Sequence, residues 1–199
     1  MTTRGLIIIL VVIVLVLGCA CIGAALALAR KLDALHTRIG KTRTFLNRTL
    51  IARARQSLQV AQSGVLDVAS SMVLIDAAQE CLLAADDPLV DDSLDSIVIY
   101  GTPMRQQVEL PSRRRLQAES SLSRALRATV DELQDSDLTA DDRSRITELN
   151  NTRLSLRLAR TFHNADVGRV RQLRRHVLAR IFPLAGHVAA PTTIDMDDE

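Results

Sequence analysis

The chain has 199 residues, with 25 Lys and Arg against 23 Asp and Glu, a formal charge of +2 and 47% hydrophobic residues. That balance excludes a simple polyanion binder, although where the charges stand matters more than their sum. Phe45, Phe162, Phe182 and Tyr100 are the only aromatic residues. They are too few to build the stacking platforms of single-stranded nucleic-acid recognition, so no nucleic-acid partner is expected.

After a short flank, residues 1–4, the uncharged run Gly5 to Ala29 reads as a transmembrane helix, bounded by Arg4 and by Arg30-Lys31. A spanning helix needs about 20 apolar residues to cross roughly 30 Å of hydrocarbon. Two processing readings compete with a retained anchor: Ala27-Leu28-Ala29 resembles a cleavage site, and Val16-Leu17-Gly18-Cys19 a loose lipid-attachment box. The run is longer than a secretory apolar region and continues apolar past Cys19, which favours the anchor. Arg30, Lys31, Arg38, Lys41, Arg43 and Arg48 follow the span, whereas Arg4 alone precedes it. The excess predicts a single-pass protein of the cell membrane with the bulk of the chain cytoplasmic. Cys19, Cys21 and Cys81 form no disulfide framework. The small residues from Gly18 to Ala25 are a weak signal for self-association.

Leu28, Leu32, Leu35, Ile39 and Leu46 continue as a helical stripe, and Leu58, Ala61, Val65, Val68, Met72, Ile75 and Leu82 form a second one. Together they predict a first helical hairpin over residues 30–85, with its turn near Arg53 to Ser57 or at Ser63-Gly64. Residues 86–112 hold five aspartates and three of the five prolines and read as a loop. Its length is unusual for a compact domain. Ser96 to Tyr100 within it is a candidate extended segment, either laid on the bundle or offered to a partner.

A second hairpin is expected over residues 113–183. Its first helix begins near Arg113, and its second begins at Thr139, where Asp142 stands in the position of a capping-box acid. The latter helix runs unbroken to Pro183, with Gly168 as the place where a bend is cheap. Its second half is basic, including Arg169, Arg171, Arg174, Arg175 and Arg180. Residues 184–199 read as a tail whose acidic end is disordered. The fold class is therefore all-α: an N-terminal transmembrane helix followed by an antiparallel bundle of long helices.

Three stretches are similar to the LemA family. Arg157-Leu158-Ala159-Arg160-Thr161-Phe162-His163-Asn164-Ala165-Asp166-Val167 resembles its "AR-x-[FY]-Y-N-x-x-V" signature. Ala118 to Leu126 resembles its "AE-x-x-L-x-x-AL" helix, and Phe182-Pro183-Leu184-Ala185-Gly186 the close of its last helix. The chain has His163 where the family has Tyr, and lacks both the Trp expected near Lys41 to Phe45 and the Ile-Pro-Asn-Leu turn, which makes it a divergent member. The resemblance implies one membrane helix, a cytoplasmic antiparallel bundle and no established catalytic activity.

Candidate chemistry is sparse. Asp33-x-x-His36 and His163-x-x-Asp166 have metal-like spacing but lack the inward glutamates of di-iron bundles, so neither metal nor cofactor is expected. No phosphate loop or nucleophile elbow occurs. In an up-down-up-down bundle the arginines from Arg169 to Arg180 return to the membrane, where they would bind anionic lipid; otherwise they form a solvated face. Asn164 is expected to fix bundle geometry through an interhelical hydrogen bond. The function that follows is an interaction or scaffold module at the cytoplasmic membrane face, with the lipid bilayer and a protein partner or itself as partners. The alternatives are a regulatory adaptor of a membrane enzyme or protease, acting through the acidic loop, and a metal- or small-ligand-binding bundle.

Overall fold

The computed structural model describes residues 3–90, 92, 105–134, 138–175 and 190–198. Among them are four helices and no strand: α1 (Thr3–Gln62), α2 (Val68–Leu83), α3 (Arg105–Thr129) and α4 (Ala140–Arg174). α1 is one continuous helix of 60 residues, about 90 Å long at 1.5 Å per residue. It is long and apolar enough to cross a membrane, with a mean hydropathy of 3.1 in its most apolar window. From Ile7 to Leu17 its large apolar side chains, where described, are exposed. Burial begins at Ala25 and continues through Leu28, Leu32 and Ile39, so the apolar run leads into the packed domain without a break.

Of the two places expected for the first turn, the chain uses Ser63-Gly64 and not Arg53 to Ser57. Leu58 and Ala61 belong to the last turns of α1, and Arg53 to Ser57 stays helical, with the Ser57 hydroxyl donating to the Arg53 carbonyl at 2.8 Å. The chain turns at Gly64, whose φ of 83° lies in the left-handed region that glycine adopts freely. Asp67 then caps α2, accepting from the Ala69 and Ser70 amides at 2.9 and 3.1 Å, and the Ser70 side chain first, then these amides, lower its carboxyl pKa. Stripe spacing alone could not choose between the two places because apolar residues continue at helical intervals on both sides of Gly64.

α3 also departs from expectation, starting at Arg105 and running through Pro111. A proline inside a helix removes one amide donor without having to end the helix. The start of α4 is as expected. Thr139 is its N-cap, accepting from the Asp142 amide at 3.2 Å while its hydroxyl donates to the Asp142 carboxylate at 2.6 Å. The helix then passes Gly168 unbroken.

α1 packs against α4 and α2, and α2 packs against α3, whereas direct contact between α3 and α4 is slight. Along α1 and α4 the partners run in opposite order: Gln56 bonds Glu148 at 2.9 Å and Arg38 meets Asp166 at 3.0 Å. Three apolar clusters follow one another along α1. Leu28, Leu32 and Ile39 meet Val167 and Val170 of α4. Leu46 and Leu50 meet Leu156, Ala159, Leu89, Val90, Ile194 and Met196. Beyond them, Ala54, Val60 and Ala61 meet α2, α3 and Leu149.

The middle cluster overturns one expectation. The acidic end from Asp195, read from composition as disordered, has Met196 only 6% exposed, and Ile194 just before it is only 1% exposed. Composition counts the aspartates, whereas burial follows the alternation of Ile194 and Met196 with Asp195 and Asp197. The candidate extended segment Ser96 to Tyr100, together with Arg180 and Phe182 to Gly186, lies outside the described residues.

Candidate functional site

α3 and α4 leave a seam between them, and residues 191–198 lie along it. The local reason is periodicity. Ile194, Met196 and Asp198 are buried, Asp195 is exposed and Asp197 is intermediate, the two-residue alternation of an extended chain with one buried face. An extended chain without strand neighbours must find other partners for its amides and carbonyls, and the helices supply them. The Asn164 amide donates to the Ile194 carbonyl at 3.0 Å and its oxygen accepts from the Ile194 amide at 2.9 Å. A primary amide carries one acceptor and two donors and so satisfies both backbone groups of one extended residue. Upstream, the Thr192 amide donates to Asp92 at 3.0 Å. Downstream, the Asp197 amide donates to the Ser120 hydroxyl at 3.1 Å and Arg157 donates to the Asp198 carbonyl at 3.2 Å.

Two charged pairs complete the grip. Arg160 forks onto the Asp198 carboxylate through Nε and Nη2, both at 2.6 Å. Arg127 of α3 forks onto Asp197 at 3.0 and 2.6 Å. Such planar bidentate pairs are among the strongest and most directional side-chain contacts. The segment is thus read from α3 by Ser120 and Arg127, and from α4 by Arg157, Arg160 and Asn164.

The walls of the seam are fixed by buried polar groups of their own. Arg53 of α1 donates to the Glu119 carboxylate at 2.7 Å and to Ser123 at 3.0 Å, with both charged side chains 2% exposed. Cys81 lies in the same region, its thiol pushed up by burial and next by the Glu119 charge, which leaves it protonated and unreactive. Arg115 donates to the Ala85 carbonyl at 2.7 Å and also to the Asp87 carbonyl and Asn47, so a cation closes the C-terminal end of α2. Arg43 pairs with Asp92, with one contact at 2.7 Å. Asp92 thereby joins α1, the stretch after α2 and the 191–198 segment.

His163 of α4 is fully buried. Its Nε2 lies 3.2 Å from the Thr192 carbonyl, and a carbonyl can only accept, so the proton is assigned to Nε2. Nδ1 is buried without a hydrogen-bond partner. Burial is the main cause of a lowered His163 pKa; the Thr192 carbonyl opposes it, Arg43 adds to it, and Asp92 and Asp166 oppose it. His36 on α1 is lowered too, by burial first and then by Arg174.

The His163-x-x-Asp166 spacing is employed otherwise. His163 faces Thr192, while Asp166 meets Arg169 at 2.9 Å and Arg38 at 3.0 Å. Among the described residues no group of three or more His, Cys, Asp or Glu is placed to hold a metal ion. Of the basic residues singled out on α4, Arg169 is paired with Asp166, Arg171 and Arg175 are exposed and Arg174 is half-buried. Arg180 is outside the described residues. Asn164 was expected to bond another helix; it bonds instead the Ile194 amide and carbonyl of the 191–198 segment. Sequence reasoning missed Asp92, Arg127, Arg160 and the segment itself; the Ile-x-Met alternation was the available signal.

The chain matches no protein-family model, no curated protein and no solved structure.

Proposed function

We propose that this chain is a single-pass membrane protein whose helical domain is an antiparallel bundle acting as a non-catalytic interaction module at the cytoplasmic face. The observation that carries the reading is the junction at Ala25 to Leu32. There the exposed apolar part of α1 ends, and Val167 and Val170 of α4 pack against Leu28 and Leu32. This brings the basic end of α4 beside the point where a spanning helix would leave the bilayer. Arg171 and Arg175 are exposed at that end, and each basic side chain near an anionic surface contributes about 1 kcal/mol. The orientation rests on the basic residues that follow the span, by the positive-inside rule.

An exposed apolar face supports the interaction role. Phe45 of α1 and Leu158 and Phe162 of α4 are each about half exposed and line a shallow concavity of about 450 Å³ with Arg38 and Lys41. The LemA-like motifs fit the same reading. They contain Glu119, which pairs with Arg53, and Arg160 and Asn164, which hold the 191–198 segment.

The test is sedimentation of residues 30–199 with vesicles of anionic or zwitterionic lipid, with helicity checked by circular dichroism. Binding to anionic vesicles alone is expected, with about a ten-fold loss or more in the double variant Arg171→Glu/Arg175→Glu, as two charge reversals near the surface require. Unchanged binding would overturn the lipid-facing role.

A further inference from the structure

We propose that the seam between α3 and α4 is a docking groove for the 191–198 segment of a second copy of this chain. In this view the segment seated in its own groove is one of two interchangeable occupants. The segment is held as a bound peptide is held. It is extended, its Ile194 and Met196 side chains enter an apolar slot, and its amides and carbonyls are read by Asn164, Ser120, Arg157 and Asp92. Its two acids are forked by Arg160 and Arg127. Main-chain bonds supply affinity in this mode, while alternate side chains and charges supply selectivity.

The walls stand on contacts that do not involve the segment. α1 packs on α4 and α2, α2 packs on α3, and Arg53–Glu119 and Arg115 tie α3 to α1 and to the end of α2. A vacated groove would therefore keep its donors and its slot. The chain between Arg175 and Ala190, residues 176–189, can reach about 50 Å at no more than roughly 3.6 Å per residue, enough to cross to a neighbouring domain. Every contact made within the chain is available between copies, so exchange costs mainly the effective concentration of the tethered segment. The inference does not depend on the membrane reading; an anchor would only raise local concentration.

Two full-length variants test it. The first, Arg160→Glu, has a damaged groove and an intact segment; the second, Asp198→Arg, has the reverse. Alone, each opposes like charges, whereas a mixed pair is complementary in both grooves. Capture of the first variant by tagged second variant in detergent is expected to exceed its capture by a tagged copy of itself by about ten-fold or more, since a hydrogen-bonded charge pair is regained. Association through α1 is common to both arms and forms the baseline. The chain carrying both substitutions should return to that baseline.

The side chains of Arg127 and Asp197 are 36% and 37% exposed, so Arg127→Glu with Asp197→Arg gives a second complementary pair that folding tolerates. Circular dichroism of each variant separates misfolding from failed docking. No excess capture with either folded pair would overturn the proposal. So would excess absent from both while a peptide of residues 190–199 binds the Asp198→Arg chain, because the segment would then be a latch confined to its own chain.

Discussion

Two seams between the packed helices are closed by an arginine–carboxylate pair, in different ways. Between α1 and α3 both partners, Arg53 and Glu119, come from helices and both are 2% exposed. Between α3 and α4 the acids come from a non-helical segment, and the arginine meeting Asp198 remains 22% exposed. A pair carried by two helices is formed once, when the helices pack. A pair carried by a segment can be broken and remade with the helices in place. The first kind fixes architecture and the second fixes occupancy, so perturbing each should separate global stability from local order.

The largest effect belongs to the helix-borne pair. Replacing Arg53 alone with Ala leaves the Glu119 carboxylate buried without its cation, and a loss of about 3–5 kcal/mol is expected in chemical denaturation. Arg53→Met combined with Glu119→Leu removes both charges and should recover most of it. If the double variant were no better than the single one, the pair would not be acting as an isolated couple.

The segment-borne side should respond locally. Asn164→Ala leaves the Ile194 amide and carbonyl without partners, at roughly 1–3 kcal/mol. Amide exchange should then speed up across residues 192–198 while the helical cores of α1 and α3 keep their protection. Equal loss of protection in the helices would mean that the segment is part of the core and not its occupant.

The contrast also explains what could be read from the sequence. Helical content, the apolar run at the start of α1 and the Thr139 cap were legible because they rest on local spacing: runs of three and four, absent charge, an acid three residues after a threonine. The first turn was left between two places because Leu58 and Ala61 prolong the stripe of α1 until Gly64, the second of them, interrupts it. The 191–198 segment was illegible for another reason. Its order depends on Asn164, Arg160 and Arg127, which lie about 30 or more residues away along the chain, and an acidic composition without that context reads as solvated. Asn164 stood out as a polar residue, but nothing local could tell whether a helix or an extended segment would meet it.

His163 ties the second seam to pH. Its pKa is lowered from the ordinary value of 6.5, chiefly by burial, so it is neutral in the folded chain near neutrality. As pH falls below about 6.5, the unfolded chain takes up the proton first, and stability present above that value is lost until the folded pKa is passed. His36 shifts in the same direction. Between about pH 7 and pH 5 the thermal midpoint should therefore fall, and less steeply in His163→Gln, whose side chain keeps a donor for the Thr192 carbonyl. Amide protection at Thr192 to Ile194 should be lost before that of α1; simultaneous loss would detach His163 from the segment.

The smallest effect sharpens the comparison most, because it varies exposure while keeping the chemistry. Arg127–Asp197 and Arg160–Asp198 are both bidentate, but the former's side chains are 36% and 37% exposed and the latter's 22% and 2%. A water-screened pair contributes about 0.2–1 kcal/mol, whereas removing the partner of a buried carboxylate leaves an unpaired charge out of water. Arg127→Ala should thus cost under about 1 kcal/mol and raise amide exchange mainly near Asp197, with an effect that fades as salt is added. Arg160→Ala should cost more and resist salt. Equal losses with equal salt dependence would show that charge alone retains the segment, and the buried geometry around Asp198 would then carry no selectivity for an acid at that position.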